Sequence, residues 1–322
     1  MRGQIPIEQP SSEKLHPKST SKKREAGMQA FQFRLSCAMV VAVALLLTTI
    51  SVAQPNSSPS ASTIQCNITP FQIPGPTSSP GAAGINDFDT IVGSVTYDLT
   101  KAEGFIRLRN GHITTFLAPG VSDTWLTGIN DSNALAGDAT TGFVYQNGTY
   151  TYPSYPGAVY TGVNGINNNG DVVGQWQDSS NQFQGYLLVK GQYTNLQFPG
   201  GNNTNPTGVN DSDVVVGNFL DASFTQHGFV YAVGKYQQID FPGASSTVVA
   251  DINDNNEMVG WYWPALGQIS GFVYLNGQFK TLVIPNANDG VSISAVNKAG
   301  HIAGVMGVTN RTDVVFLGVN CH

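Results

Sequence analysis

The chain has 322 residues, 36 of them Gly, with only 11% charged residues and a formal net charge of −6. Its 16 Phe, 12 Tyr and 4 Trp are enough for a sizeable core, and the low charge excludes a disordered chain. Seven of the 15 Lys and Arg precede residue 35; beyond residue 53, 8 basic residues face 18 acidic ones, so that part carries −10 and lacks the basic patch that nucleic acid or an anionic membrane surface would require.

The front of the chain reads as an address. Residues 1–27 are polar and basic, with Lys22, Lys23 and Arg24 adjacent. Met28 offers a second start, Arg34 precedes an apolar run from Leu35 to Ala53, and Ser51-Val52-Ala53 has the small-x-small form of a cleavage site. Residues 28–53 therefore read as a secretory signal, and 1–27 as an extension outside the fold. An uncleaved single-span anchor is the competing reading, weakened by Thr48, Thr49 and Ser51 within a run of minimal length. Cys37 lies at the front of the apolar run and not after it, so it is not a lipoprotein attachment site. Residues 54–63, rich in Ser and Pro, read as a flexible lead-in.

From residue 64 to 322 one phrase recurs six times, at Gly84–Gly93, Gly128–Gly137, Gly165–Gly174, Gly208–Gly217, Asp251–Gly260 and Ala295–Gly304. The first anchors are spaced 44, 37, 43, 43 and 44 residues apart. Gly-Phe or Gly-Tyr follows at 104, 142, 185, 228 and 271, then a turn Gly at 111, 148, 191, 234 and 277, and a proline eight residues later. Each unit holds four short apolar runs separated by turn residues. In the third these are Thr161–Ile166, Asp171–Trp176, Gly185–Val189 and Gln192–Phe198. Such runs are strands, and the Asn- and Gly-rich links between them are hairpin turns. Four antiparallel strands in about 42 residues make a propeller blade, which buries both faces only when packed against neighbours. The expectation is an all-β, six-bladed β-propeller.

Counting back eight from Pro74 places Cys66 in the column of turn glycines, and counting on from Phe316 places Cys321 in the same column. The last blade then takes its fourth strand from the N-terminal side. A Cys66–Cys321 disulfide would replace the missing turn, as suits an oxidising compartment. Two unrelated free thiols are the alternative.

Gly-Ile-Asn-Asn-Asn-Gly-Asp-Val-Val-Gly at 165–174, His-Gly-Phe-Val-Tyr at 227–231 and Ile-Asp-Phe-Pro-Gly-Ala at 239–244 resemble the HAF repeat of extracellular bacterial proteins. The resemblance covers residues 64–322. It implies an extracellular repeat protein and brings no established activity. In the column of His227 the other units carry Glu103, Thr141, Gln184, Ser270 and Val314.

Three functions fit the residues. The first is a secreted, non-catalytic binding module for an extracellular carbohydrate or protein, monomeric and outside the membrane once the signal is removed, whether extracellular or periplasmic. Its candidate contacts are Asp178, Asp221, His227 and Trp263. Trp125 and a gap beside Trp176, left by the short link Gly137–Gly142, are further places for a ligand. Trp176, Phe219 and Tyr262 share a column and read as core. The second is a polysaccharide-cleaving enzyme using paired carboxylates, Asp178 and Asp221, with Asp98 in the same loop position. The third is a purely structural repeat. No elbow motif or zinc spacing is present, so no cofactor is assigned. The Asn-Asp turns at 86, 130, 210 and 253 could supply oxygens to Ca²⁺, but Asn and Asp also close turns by bonding their own backbone.

Overall fold

The computed structural model describes residues 62–75, 79–97, 101–265, 267–287, 289–308 and 312–321. The expected signal segment and Asp98 lie outside them. The chain enters through β1 (Ser62–Ile64) and β2 (Asn67–Phe71). Blade one is β3 (Ser79–Ile85), β4 (Ile91–Tyr97), β5 (Lys101–Arg107) and β6 (Ile113–Phe116). Blade two is β7 (Trp125–Ile129), β8 (Leu135–Asp138), β9 (Gly142–Gln146) and β10 (Thr149–Thr151). Blade three is β11 (Tyr160–Thr161) with β12 (Gly165–Ile166), then β13 (Val172–Gln177), β14 (Phe183–Val189) and β15 (Gln192–Leu196). Blade four is β16 (Asn202–Val209), β17 (Val215–Leu220), β18 (Gln226–Ala232) and β19 (Lys235–Ile239). Blade five is β20 (Ala244–Ile252), β21 (Met258–Pro264), β22 (Ser270–Leu275) and β23 (Gln278–Leu282). Blade six is β24 (Val291–Val296), β25 (Ile302–Val308) and β26 (Thr312–Val319), completed by β2 running antiparallel to β26. The fold is a six-bladed β-propeller, closed where the sequence places the closure.

Each blade buries one large ring at the Gly-Phe position. Phe105, Phe143, Tyr186, Phe229, Phe272 and Phe316 are all at most 1% exposed. Each such ring contributes about 1.5–3 kcal/mol of hydrophobic stabilisation. They anchor six apolar clusters, most of them drawn from neighbouring blades, such as Phe105 with Ala295 and Val315. The Gly that ends the repeated phrase is required by close approach: a Cβ on Gly260 would stand 1.9 Å from the Val248 carbonyl oxygen. The Pro-Gly turns leaving the outer strands place Gly in the left-handed region, as at Gly200 with φ +76°, which only a residue without a Cβ adopts at no cost.

Two local expectations are corrected. The run 161–166 is not one strand. It divides into β11 and β12, and the Asn164 side chain leaves the blade to donate to Asn205 Oδ1 and the Pro206 carbonyl of blade four, both at 2.8 Å. The other five blades show a register shift at the same place, one residue before the first anchor. The second correction concerns residues 62 and 63, whose composition suggested a flexible lead-in. They belong to β1, a fifth strand parallel to β23 on the rim of blade five. Ile64 explains this: it is 4% exposed and packs with Leu282 and Ile293. Two residues later Cys66 is bonded to Cys321. The stretch 62–71 thus clasps blade five to blade six.

Candidate binding face

Within each blade the links between first and second strands and between third and fourth open on one face; the remaining links open on the other. On the first face the six repeat Asn residues ring the axis. Each bonds its own turn and the next blade. Asn210 Oδ1 accepts from the Ser212 and Val214 amides at 3.0 and 3.1 Å. Its Nδ2 donates to the Asn253 carbonyl at 3.2 Å. The relay runs from Asn86 to Asn130, Asn167, Asn210, Asn253 and Asn297, and back to Asn86. Outside it a second relay joins backbone amides to the next carboxylate or amide oxygen, as from Asp87 N to Asp131 Oδ1 at 2.8 Å. Lys298 interrupts it, having no acceptor to offer Asp254. Both ends of every Asn side chain are engaged, so these turns act as seams between blades, and among the described residues no group of three or more metal-ligating side chains is assembled. The relay surrounds a hollow of about 80 Å³ on the axis. Asp251, standing where four other blades have Gly, lines it and ties blade five to blade six: Oδ1 accepts from Ile252 N at 2.8 Å and Oδ2 from Val296 N at 3.0 Å. Burial pushes its carboxyl up to about 7.

The opposite face carries the candidate contacts. In blades three, four and five the aromatic residue before the turn proline lies flat on an aromatic from the second strand. The pairs are Tyr155–Trp176, Phe198–Phe219 and Phe241–Tyr262, with centroids 4.3, 3.7 and 3.6 Å apart and planes within 6°. The aromatic column is therefore core on one side, as expected. A polar group meets the other side. Trp176 Nε1 donates to Asn195 Oδ1 at 3.0 Å, and Asn195 Nδ2 donates to Gln184 Oε1 at 3.1 Å. The Tyr262 hydroxyl is 3.1 Å from Thr281 Oγ1.

Blade four puts its most reactive groups at this station. The His227 ring lies 5.3 Å from that of Phe219. Its Nδ1 is 2.9 Å from Asp240 Oδ2 and its Nε2 is 3.4 Å from Asp221 Oδ2. Gln238 Nε2 donates to Asp240 Oδ2 at 2.6 Å, and Asp240 Oδ1 is buried with no hydrogen-bond partner among the described residues. Above them the loop from Asp221 to Thr225 turns on the Asp221 carboxylate, whose Oδ1 accepts from Ser223 N and Thr225 N, both at 2.8 Å. These backbone donors and His227 hold Asp221 below the usual carboxylate range. At the loop tip Phe224 has φ +61° and is 77% exposed, where blade three has Asn181 with φ +64°. A bulky apolar residue held left-handed and in water is a local strain without a structural return.

Asp178 makes the same turn in blade three, with Oδ1 accepting from Ser180 N and Gln182 N at 2.8 and 2.9 Å. The structure thus joins Asp221 to His227 but leaves Asp178 in its own loop. Trp263 is half-buried on the neighbouring blade; its cross-strand partner Ser246 donates to the carbonyl of Gln226, the residue before His227, at 3.1 Å. The seam beside the short link of blade two is bridged by the Tyr160 hydroxyl donating to the buried Asp138 carboxylate, and by Thr141 Oγ1 donating to the Thr161 carbonyl at 3.0 Å. Asp240 and Gln238 were not singled out in the sequence, although Asp240 stands within the phrase Ile-Asp-Phe-Pro-Gly-Ala.

No known family matches the chain, and no curated protein does. Solved structures do. TolB from Acinetobacter baumannii superposes with a TM-score of 0.51 at 12% identity, over 73% of this chain and 65% of TolB, so the chain spans less than two thirds of that protein. A triple arginine-to-alanine mutant of AofleA from Arthrobotrys oligospora gives 0.51 at 14% identity, over 83% and 91%. Aleuria aurantia lectin bound to Fucα1-6GlcNAc gives 0.44 at 10% identity, over 80% and 91%, too slight a likeness to argue from. At such identities the first two establish the propeller fold and nothing of activity.

Proposed function

We propose that the chain is a secreted, non-catalytic binding protein that holds a carbohydrate on the face carrying Asp221, His227 and Asp240. The observation that carries this reading is the blade-four station. An imidazole stacked on Phe219 sits between two carboxylates, and Asp240 Oδ1 is left without a donor. Sugar hydroxyls are donors of the missing kind, and sugar rings stack on exposed aromatic faces, which Phe224 at the loop tip supplies. Neighbouring stations at Trp176 and Tyr262 repeat the pairing of ring and polar group, suiting a chain of sugars more than a single one.

The polysaccharide-cleaving alternative draws no support from the site, because Asp178 and Asp221 each serve as turn acceptors in separate blades. Secretion rests on the basic and apolar stretches before residue 54 and is favoured by the bonded pair Cys66–Cys321, which suits an oxidising compartment. Membership of the HAF repeat family and the boundaries 1–27, 28–53 and 54–63 belong to the same reading.

The test is thermal unfolding of the secreted protein against a glycan panel, since a ligand that binds only the folded state raises the midpoint. A rise with one glycan, lost in His227→Ala and Trp263→Ala, is the expected result. No rise with any glycan, while a protein partner is captured through the same residues, would replace carbohydrate by protein as the ligand.

A further inference from the structure

On the opposite face, where blade six meets blade one, the repeat departs from its pattern in a second way. In the third-strand column occupied by Tyr145, Leu188, Tyr231 and Tyr274, blade one has Arg107. In the outer-strand column of Tyr150, Tyr193, Tyr236 and Phe279 it has Ile113, the cross-strand partner of Arg107. A guanidinium thus stands where a phenol ring would be, beside a side chain smaller than the ring it replaces.

Arg107 is 7% exposed and its Cζ lies 4.6 Å above the Phe71 ring. Its Nε and Nη1 are buried with no hydrogen-bond partner among the described residues. The nearest carboxylate, Asp89, is already engaged: Oδ1 is 2.6 Å from His301 Nδ1 and 3.2 Å from Asn297 Nδ2, and Oδ2 is 3.6 Å from Arg109 Nε. Burial lowers the Arg107 pKa, the direction expected of a cation short of counter-charge. Arg109 is 77% exposed and His301 25% exposed, so the cluster opens to solvent on their side. Arg107, Arg109 and Lys298, three of the eight basic residues beyond residue 53, lie on blades six and one at this face of an otherwise acidic molecule.

We propose that the blade six–blade one seam is a binding site for a small oxyanion, a carboxylate or a phosphate, received by Arg107 and Arg109 beside His301. A guanidinium with unmet N–H groups at Nε and Nη1 can donate to such a group, and the cation–π contact with Phe71 fixes the plane in which those donors are offered. This site is independent of the carbohydrate reading: it lies on the other face and shares no residue with it.

The experiment is calorimetric titration of the intact secreted protein at constant ionic strength with inorganic phosphate and with sodium galacturonate, using galactose and chloride as controls. Saturable binding of phosphate alone assigns a phosphate group, of galacturonate alone a carboxylate, and of both a general oxyanion site. Arg107→Tyr restores the residue of blades two, four and five and is expected to fold while losing at least about tenfold in affinity. Lys235→Ala, which removes an exposed cation on blade four, is expected to bind as the parent does. Absence of binding by both anions, or equal binding by Arg107→Tyr, overturns the proposal. If Arg107→Tyr fails to fold, the double variant Arg109→Ala/His301→Gln carries the test, and an unchanged affinity there overturns it equally.

Discussion

Asn297 Nδ2 donates to the main-chain carbonyl of Asn86 at 3.0 Å, across 211 residues of sequence. It is the last of six equivalent bonds, and it makes the relay around the axis a closed one. Residues that read locally as turn formers are therefore also what holds each blade to the next.

Removing one of these amides should cost more than a turn residue normally does. Asn210→Ala leaves the Asn253 carbonyl without its donor and the Val214 and Ser212 amides without their acceptor. Orphaned buried groups cost roughly 1–3 kcal/mol each, so a loss of about 3 kcal/mol in denaturant unfolding is expected. A surface Asn outside the relay and free of positive φ, such as the exposed Asn202, should cost less than about 0.5 kcal/mol on the same substitution.

Asp251 gives stability a definite pH dependence. Its carboxyl is near 7 in the folded protein against 3.8 ordinarily, so the folded state keeps a proton that the unfolded chain has released. The associated stability is fully present below about pH 3.8 and is lost as pH rises through 7. Asp251→Ala, which installs the residue blade six has at position 295, removes that dependence. Its midpoint relative to the parent should therefore improve between pH 5 and pH 8, by roughly 2–4 kcal/mol in unfolding free energy at the upper end. A constant difference across that range would show that Asp251 is not held protonated.

Phe224 couples stability and binding with opposite signs. Phe224→Asn puts at the loop tip the residue that blade three uses at Asn181, one that tolerates positive φ. Unfolding should become harder by about 1 kcal/mol. Glycan binding should weaken at the same time, if the exposed ring is a stacking surface. A variant that is more stable and binds equally well would leave the ring without that role.

Reducing the bond between Cys66 and Cys321 frees a loop of 255 residues in sequence separation. By chain entropy this is worth about 5 kcal/mol of unfolding free energy. The first amides to gain exchange on mild reduction should be those of β1, β2 and β26, because only the clasp and not the axial relay depends on the bond. Mass spectrometry of the protein purified without reductant should find no free thiol at either cysteine.

The architecture was legible because it is written six times. A residue type that recurs at fixed spacing, such as the phrase-ending Gly or the ring of Gly-Phe, announces a shared constraint. Even the closure could be counted out, since Cys66 and Cys321 fall in an occupied column. What recurs without chemical distinction was missed: Thr124, Thr161, Thr204 and Thr247 each accept the amide of the residue before the turn proline, at 2.8–3.0 Å, yet Thr is common throughout. The candidate sites were harder for the opposite reason. Asp178 and Asp221 attracted notice as recurrent acids, and recurrence is what a turn requires. The informative positions are single departures, Arg107, Phe224 and Asp251, and their meaning depends on neighbours from other blades that no local pattern names.

The disulfide has a further consequence when a protease meets the protein. Every loop between residues 66 and 321 belongs to one covalent circle. A single cut in any of them, at the exposed Phe224 loop for instance, yields no separate fragment: both pieces stay attached at the rim, and the axial relay keeps the cut blade in register. Two cuts are needed before anything can leave.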